Sequence, residues 1–385
     1  MSNKQVVLER IDKAISEIKD KNCTLFFFVV DSRNVPNGSM SYIYQLAKYL
    51  HNDGYNVQMI YQLPNEYTQE EKEELLKKDE VLDENRIFHS SSEWMGSEYD
   101  GIPHLNISMH DWTVSPSDFL FIPEVFSSLM FETYKHNIPC KRYVILQNFN
   151  YVTEFIPLGV QWSNYGIFDA ICTTELQEKK IKQVFPYVNT KVLNPYIDEC
   201  FRENIKPKNL IVNIVAKNQS DVHRIIKPFY WKYPIYKFIS FRDVRNFPRE
   251  EYAELLKEGA ITIWVDDDTQ FGYSALEAMR CGNIVIGKMP DDTMEWMTNG
   301  DELLDNAIWF TNIDQVHAIL ASVIASWMRN DIPSELTKAM KETNEKYKFS
   351  DWKEKANDLF NKIMQERIKE LEETKIITQN SKEDE

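Results

Sequence analysis

The chain has 385 residues, too many for one ordinary hydrophobic core, so its length predicts two domains. With 43% hydrophobic and 27% charged residues it has the composition of a globular protein, and its longest apolar run, 25–30, is too short to span a membrane and lacks the flanks of a signal peptide. Its five cysteines form no CxxC pair and are odd in number, which favours reduced thiols in the cytoplasm over disulfides or a zinc site.

Strands and helices alternate after an amphipathic helix over about the first 20 residues, and a second helix is predicted over 39–52. The strands predicted in the first half are 24–31, 57–61, 86–89, 119–122, 143–147, 170–173 and 192–194. After a break at 194–207 the predicted strands are 210–216, 236–240, 260–265, 283–286 and 307–310. Continuous apolar strands that alternate with helices predict parallel sheets covered on both faces, an α/β fold.

The break near 195–207 predicts the border between two α/β domains, 1–195 and 196–352. A last helix is predicted over 353–373, and the polar residues 374–385 are expected to be disordered.

The net charge of −16 is unevenly distributed along the chain. Residues 206–249 carry ten lysines and arginines against two aspartates, a local charge of +8, together with eight aromatic residues. Such a segment is expected to face an anion. The candidates are a nucleotide diphosphate, an acidic glycan and a nucleic-acid backbone, whose bases can stack on the aromatic rings.

The most informative motif follows the predicted strand 260–265. Three aspartates, Thr269, Gln270 and Gly272 lead into a helix pattern that carries Glu277. A strand, a loop with glycine and a helix N-terminus make a phosphate site, because the first N–H groups of a helix have no partner inside it. A glutamate one to two turns into the helix can accept hydrogen bonds from ribose hydroxyls.

The stretch from Phe271 to Gly287 resembles the nucleotide-sugar signature of retaining glycosyltransferases of the GT-B fold, in the family-4-like group. The resemblance implies two Rossmann-like domains that face each other across a cleft, with a C-terminal helix that crosses back to the first domain. It implies that 1–195 takes the acceptor and 196–352 the nucleotide sugar, such as a UDP-sugar. The implied reaction is transfer to a hydroxyl with retention, in polysaccharide or glycoconjugate synthesis, without a cofactor or divalent metal.

The resemblance also assigns roles to residues of the second domain. Lys217 matches a basic residue that neutralises the departing diphosphate, and Arg224 or Lys227 matches a second one. The alternative for these residues is a solvated basic face. The implied donor-binding residues are Glu277 on the ribose, with Thr269, Gln270, Gly272, Tyr273 and Ser274 at the sugar and phosphates.

In the first domain, the resemblance implies that Gly38 and Ser39 donate backbone N–H groups to the donor. The alternative is an ordinary strand-to-helix turn with Ser39 as N-cap. His110 matches a histidine that relatives place against the sugar, which makes it a catalytic candidate beside Lys217 and Arg224; a surface or capping histidine is its alternative. The polar segment 147–155 either binds sugar hydroxyls or forms a simple turn.

The chain departs from the family pattern of two glutamates separated by seven residues, because Thr269 stands where the first is expected. This departure keeps open a catalytically inactive GT-B module that binds sugars or partners. The basic and aromatic segment keeps open an enzyme that glycosylates hydroxymethylated bases of viral DNA. Aspartates 266–268 invite a metal hypothesis, but metal-binding aspartate motifs belong to the other common glycosyltransferase fold, GT-A.

Overall fold

The structure is a computed structural model that describes residues 3–29, 36–62, 70, 92–99, 101–107, 111–203, 207–299 and 302–380. The chain divides into two compact units. The first unit comprises Met1–Thr173, Glu178–Leu193 and Glu354–Glu385, and the second comprises Thr174–Gln177 and Asn194–Lys353. Within the described residues, no helix is long and apolar enough to cross a membrane.

The first unit is built on a sheet of seven parallel strands. The strands are β1 (Thr24–Phe28), β2 (Asn56–Tyr61), β3 (His104–Asn106), β4 (Phe119–Pro123), β5 (Lys141–Leu146), β6 (Asp169–Cys172) and β7 (Asn189–Val192). Their order in the sheet is β3-β2-β1-β4-β5-β6-β7. Every residue of β4 is buried, as expected for a central strand with helices on both faces.

Helices cover this sheet and connect its strands. They are α1 (Asn3–Lys19), α2 (Gly38–Asn52), α3 (Ser92–Met95), α4 (Ser127–Lys135), α5 (Phe149–Phe155) and α6 (Glu175–Val184). The strand order reverses between β1 and β4, and ligands of doubly wound sheets bind outside the carboxyl ends of the strands at such a point.

The second unit contains a five-stranded parallel sheet. Its strands are β8 (Asn209–Ala216), β9 (Ser240–Asp243), β10 (Gly259–Val265), β11 (Ile284–Lys288) and β14 (Ile308–Phe310), and β12 (Thr298–Asn299) pairs with β13 (Glu302–Leu303) as a separate antiparallel ribbon. The helices are α7 (Gln219–Lys232), α8 (Arg249–Glu258), α9 (Tyr273–Arg280), α10 (Val316–Met328) and α11 (Ser334–Glu345). The order β14-β11-β10-β8-β9 reverses between β8 and β10. Because ligands of such sheets bind where the strand order reverses, the loops after β8 and β10 are the expected place for a binding site.

The last helix, α12 (Phe349–Asn380), belongs to the first unit from Glu354 onward, in agreement with the expected return of the C-terminal helix. Ion pairs hold it there: Nζ of Lys141 lies 2.5 Å from Oε1 of Glu370, and Nζ of Lys191 lies 2.7 Å from Oε2 of Glu366. The predicted disorder from residue 374 is wrong for 374–380, which continue this helix. Residues 381–385 lie outside the described residues.

Three strand predictions differ from the structure or lie outside its described residues. The strand predicted at 192–194 shares only Val192 with β7, which ends there. The strand predicted at 236–240 is wrong, because Pro234–Tyr236 form a 3-10 turn and β9 begins only at Ser240. Tyr233 and Tyr236 pack on Phe229, with ring centroids 5.5 Å and 6.0 Å away, and so close the end of α7. The third prediction, 86–89, lies outside the described residues.

Candidate functional site

The loop between β10 and α9 lies at the carboxyl edge of the second sheet, beside the reversal of strand order. Gly272 caps α9 in the left-handed conformation, with φ of +77°. A Cβ atom at this position would lie 3.0 Å from Cζ2 of Trp296, 3.2 Å from Sδ of Met294 and 3.3 Å from Cζ2 of Trp264. Both the backbone conformation and the close approach of these side chains therefore require glycine here.

Thr269 stabilises this loop from within. Its hydroxyl oxygen accepts a hydrogen bond from the N–H of Gly272 at 3.0 Å. The neighbouring Gln270 is only 2% exposed, and its side-chain amide donates to Oδ2 of Asp292 at 3.2 Å. These contacts set the loop conformation, and a direct role of either residue in binding a donor stays a prediction.

Aromatic packing supports the start of α9. The indole N–H of Trp296 donates to the carbonyl of Phe271 at 2.6 Å. The ring of Phe271 packs edge-on against Tyr273 and Tyr347, with centroids 4.7 Å and 5.4 Å away. The first turn of α9, with Tyr273 and Ser274, is thus fixed on the core, and the N-terminus of a helix carries a partial positive charge that attracts an anion.

Glu277 lies in the second turn of α9 and is half-buried. Burial raises the pKa of its carboxyl group to about 8, Arg249 opposes the shift and Asp198 adds to it. Among the described residues, its carboxylate accepts no hydrogen bond from a side chain. Glu277 is therefore a carboxyl group in a low-dielectric position that is open to an incoming hydrogen-bond donor.

Arg249, at the start of α8, was not among the candidates from the sequence. It is buried, and its Nη1 donates to Oδ2 of Asp198 at 3.0 Å. Its charge acts on Glu277, which belongs to the separate helix α9, and no sequence spacing indicates that the two residues are close. A buried arginine near a carboxyl group favours the ionised form of that group and so limits the rise of its pKa.

Lys217 directly follows β8 and faces the aspartates after β10. Its Nζ lies 2.9 Å from Oδ1 of Asp266 and 3.7 Å from Oδ2 of Asp268. Burial raises the pKa of Asp266, and Lys217 opposes this shift. Because the lysine side chain is 48% exposed, these ion pairs are weak and a diphosphate could replace the aspartates as its partner.

The strands on either side also end in charged residues. After β9, Arg245 binds both carboxylate oxygens of Asp243, at 2.8 Å and 2.6 Å, and holds the pKa of that carboxyl group low. At the end of β11, Nζ of Lys288 lies 2.5 Å from Oδ2 of Asp267. Neither cation was predicted, because only the sheet order places these strand ends beside Lys217.

The structure does not bring Arg224 to this cluster of charges. Arg224 is exposed on α7, and its Nη1 lies 3.7 Å from Oδ1 of Asp221 on the same helix. Its backbone carbonyl accepts a hydrogen bond from Nε2 of His317 at 2.9 Å when that nitrogen carries the proton. Lys227 is likewise exposed on α7. A catalytic role for Arg224 stays a prediction.

In the first unit, the predicted N-cap of α2 is wrong. Asn37, not Ser39, caps the helix, and its side-chain oxygen accepts from the N–H groups of Ser39 and Met40 at 2.9 Å and 3.3 Å. The N–H of Ser39 is thus engaged in this cap, whereas a role of Gly38 in donor binding stays a prediction. His110 lies outside the described residues.

The segment 147–155 contains a turn and the short helix α5. Asn148 caps α5 by accepting from the N–H of Asn150 at 3.0 Å, and its own N–H donates to Oε1 of Glu124 at 2.7 Å. Burial raises the pKa of Glu124 to about 7, although backbone N–H groups oppose the shift. These contacts agree with the simple-turn alternative for Asn148.

Within the described ranges, no group of three or more histidine, cysteine or acidic side chains is arranged to hold a metal ion. The aspartates that suggested a metal, 266–268, are close to Lys217 and Lys288. Donor binding without a metal stays a prediction.

Comparison with known proteins gives one curated relative and several similar structures. No family model matches the chain. The alpha-1,6-glucosyltransferase of Actinobacillus pleuropneumoniae serotype 7 (strain AP76) is 24% identical over 205 residues. The matched stretch covers 49% of this chain and 62% of that relative, so less than two thirds of its length is matched.

The similar solved structures have low sequence identity but match nearly the whole chain. Sucrose-phosphate synthase from Thermosynechococcus elongatus has a TM-score of 0.55 at 13% identity, covering 89% of this chain and 99% of its own. The pneumococcal O-GlcNAc transferase GtfA, in complex with UDP and GlcNAc, has a TM-score of 0.56 at 9% identity, covering 90% and 99%. Anabaena HepE, in complex with UDP-glucose, has a TM-score of 0.54 at 10% identity, covering 88% and 99%.

These matches extend over both units and show a shared fold. The chain has the GT-B fold of glycosyltransferases, and the resemblance predicted from the sequence is confirmed at this level. Membership of the family-4-like group depends on the motif around Glu277 and stays a prediction.

Proposed function

We propose that the protein is a glycosyltransferase that moves a sugar from a nucleotide sugar to an acceptor hydroxyl. The observation that carries the proposal is that Lys217 follows β8 and pairs with Asp266 after β10, just before the helix α9 that carries Glu277. These segments lie at the carboxyl edge of the second sheet, where its strand order reverses. The GT-B fold and the curated relative's name support the same activity.

Each of these groups suits one part of a nucleotide diphosphate sugar. The first turn of α9 offers N–H groups and a positive dipole end to the diphosphate. Lys217 neutralises the negative charge that grows on the departing phosphate. The carboxylate of Glu277 accepts hydrogen bonds from the ribose hydroxyls.

We further propose UDP-glucose as the donor class and retention as the stereochemical outcome. A similar structure contains UDP-glucose, another contains UDP, and the curated relative is named a glucosyltransferase. The bond between the anomeric carbon and the phosphate oxygen breaks while the acceptor oxygen bonds to that carbon on the same face. The acceptor proton passes to the departing phosphate, so a surface polysaccharide or glycoconjugate is extended by one sugar.

The structure does not favour the alternative of a DNA-modifying enzyme, because several cations of the 206–249 segment have partners inside the unit. Nζ of Lys208 donates to the carbonyls of Leu256, Lys257 and Gly259 at distances of 2.9 to 3.2 Å. Arg242 pairs with Glu258 at 2.8 Å. Arg245 and Arg249 pair with aspartates as described above. These charges stabilise the fold instead of facing a nucleic acid.

A thermal-shift screen with UDP-, GDP-, dTDP- and CMP-sugars tests the proposal. We expect UDP-glucose to raise the melting temperature, because a ligand that binds only the native state stabilises it. Slow hydrolysis of the same donor should accompany binding. No shift with any nucleotide sugar would contradict the proposal, and binding without hydrolysis or transfer would indicate the inactive module that Thr269 left open.

Replacing Lys217 with alanine is expected to lower the affinity for UDP about 10- to 100-fold, since hydrogen bonds to a charged group contribute about 1.5–3 kcal/mol. The stability should change little, because the ion pairs of Lys217 are exposed. Calorimetric titration with UDP measures the first effect and thermal unfolding the second. Lys338→Ala, which removes another exposed ion-paired lysine of this unit, is the control. Equal UDP affinities in the two variants would argue against a diphosphate contact for Lys217.

A further inference from the structure

Three large apolar side chains are exposed at the end of α7 and in the turns that follow it. Ile235, Trp231 and Phe238 are 77%, 76% and 60% exposed, although each is large and apolar. We name these three residues, with Lys227, Lys232 and Lys237 between and beside them, the aromatic–basic patch. All three lysines are exposed.

The local fold explains why these side chains face outward. Phe229 is fully buried, Tyr233 and Tyr236 pack on it, and the hydroxyl of Tyr230 donates to the carbonyl of Ile239 at 2.6 Å. These inward residues complete the core of the unit. The 3-10 turn Pro234–Tyr236 then leaves the intervening apolar residues on the solvent side. Core packing therefore does not account for Trp231, Ile235 and Phe238.

The charge around the patch is positive in a protein whose net charge is −16. Between Asp221 and Asp243 the sequence contains no acidic residue. Each of these two aspartates lies beside an arginine, at 3.7 Å for Arg224 and 2.6 Å for Arg245. Among residues of other elements, His317 contacts Lys232, with Nδ1 3.5 Å from Nζ, and Asp314 lies nearby in the turn before α10.

Three lysines beside exposed tryptophan, phenylalanine and isoleucine match the chemistry of an anionic lipid surface. Aromatic side chains are enriched at the boundary between the lipid headgroups and the acyl chains, and anionic headgroups attract lysine side chains. Nucleic acid fits less well, because base stacking uses flat rings and would leave Ile235 and Pro234 without a partner. We propose that the aromatic–basic patch binds the surface of a membrane that contains anionic lipids.

The position of the patch is compatible with catalysis at a membrane surface. Helix α7 begins two residues after Lys217 and has 14 residues, so its far end lies about 20 Å from its start. The patch thus lies at the amino edge of the second sheet, away from the carboxyl edge that carries the candidate donor site. Lipid bound at the patch leaves the donor site open.

Vesicle flotation tests the proposal directly. The full chain is expected to float with vesicles of phosphatidylcholine and phosphatidylglycerol at low salt, and not with phosphatidylcholine alone. Trp231→Ser combined with Ile235→Ser, and separately Lys232→Glu combined with Lys237→Glu, should each weaken binding about tenfold or more. Leu158→Ser, which removes a fully exposed leucine of the first unit, is the matched control and should leave binding unchanged.

Tryptophan fluorescence gives a second measure of the same contact. Of the nine tryptophans Trp231 is exposed, whereas the other eight are buried or half-buried. Brominated lipids should therefore quench the wild-type protein, and Trp231→Phe should lose most of this quenching while it still floats with the vesicles.

Three outcomes would overturn the proposal: no flotation with anionic vesicles, flotation that the patch variants retain, or binding of duplex DNA that the patch variants lose while vesicles are not bound. Thermal shift with UDP-glucose, measured on the same variants, is independent of the patch. Failure of lipid binding and failure of the proposed enzymatic function are therefore distinguished.

Discussion

Replacing Glu277 with glutamine is expected to lower UDP affinity about 10- to 100-fold and to remove the proton release that accompanies binding. The affinity falls because a neutral amide replaces the acceptor of charge-assisted hydrogen bonds, which contribute about 1.5–3 kcal/mol each. Calorimetric titration in two buffers with different ionisation enthalpies measures both the affinity and the number of protons released.

The raised pKa explains the proton release. With a pKa of about 8, the carboxyl group of Glu277 is mostly protonated at pH 7 in the free protein. Ribose hydroxyls that donate to it favour the ionised form and lower its pKa, so a proton leaves as the nucleotide binds. We therefore expect the UDP affinity of the wild-type protein to rise between pH 6 and about pH 8.

The same group makes an opposite contribution to the stability of the free protein. Between the ordinary pKa of 4.5 and the raised value of about 8, the native state holds a proton that the unfolded state lacks. The contribution of Glu277 to the free energy of unfolding therefore decreases as pH rises through this range. Glu277→Gln should remove this part of the dependence of the melting temperature on pH.

Glu342→Gln, which removes an exposed, ion-paired carboxylate on α11, serves as the control for both experiments. It should retain wild-type affinity, proton release and pH dependence. If Glu277→Gln behaves like this control, the assignment of the ribose site to α9 is wrong.

Replacing Gly272 with alanine is expected to destabilise the second unit by about 2–6 kcal/mol and to abolish nucleotide binding. The left-handed backbone costs an L-residue about 1–3 kcal/mol, and a methyl group in a packed interior adds a similar amount. The added Cβ would lie only 3.0 to 3.3 Å from Trp296, Met294 and Trp264. Relief of these contacts would shift the loop and the first turn of α9. Chemical denaturation measures the stability, and UDP titration well below the melting temperature measures binding.

Gly159 separates the two causes. Its φ of +80° is nearly that of Gly272, but a Cβ there would meet no atom within 4 Å. Gly159→Ala therefore reports the backbone strain alone, and we expect a smaller loss of stability with unchanged UDP binding. Equal losses in the two variants would show that the aromatic contacts around Gly272 do not govern the loop.

Long apolar strands were the best predicted part of the fold. The predictions at 210–216 and 260–265 agree closely with β8 and β10, because a strand buried on both faces must be apolar throughout. The strand predicted at 236–240 failed, since its aromatic residues bury against Phe229 from a turn and not from a sheet. The short β3 was missed because a three-residue edge strand has too few residues to show a pattern.

The residues of the candidate site also differ in whether the sequence could predict them. Gly272 and Glu277 were predictable because a loop glycine and a carboxylate one turn into the next helix are separated by a fixed number of residues. Arg245, Arg249 and Lys288 were not, because each contacts a group far away in the sequence: the carbonyl of Lys217, the carboxylate of Asp198 and the carboxylate of Asp267, respectively.

The sequence by itself determined the α/β class, the GT-B resemblance and the helix that carries Glu277, since these depend on local periodicity and on a contiguous motif. Tertiary structure alone decided which cations of the 206–249 segment are paired, that Thr269 holds its own loop, and that Trp231, Ile235 and Phe238 stay exposed. The physical reason is that ion pairing and burial depend on distances between elements, which the order of residues along the chain does not specify.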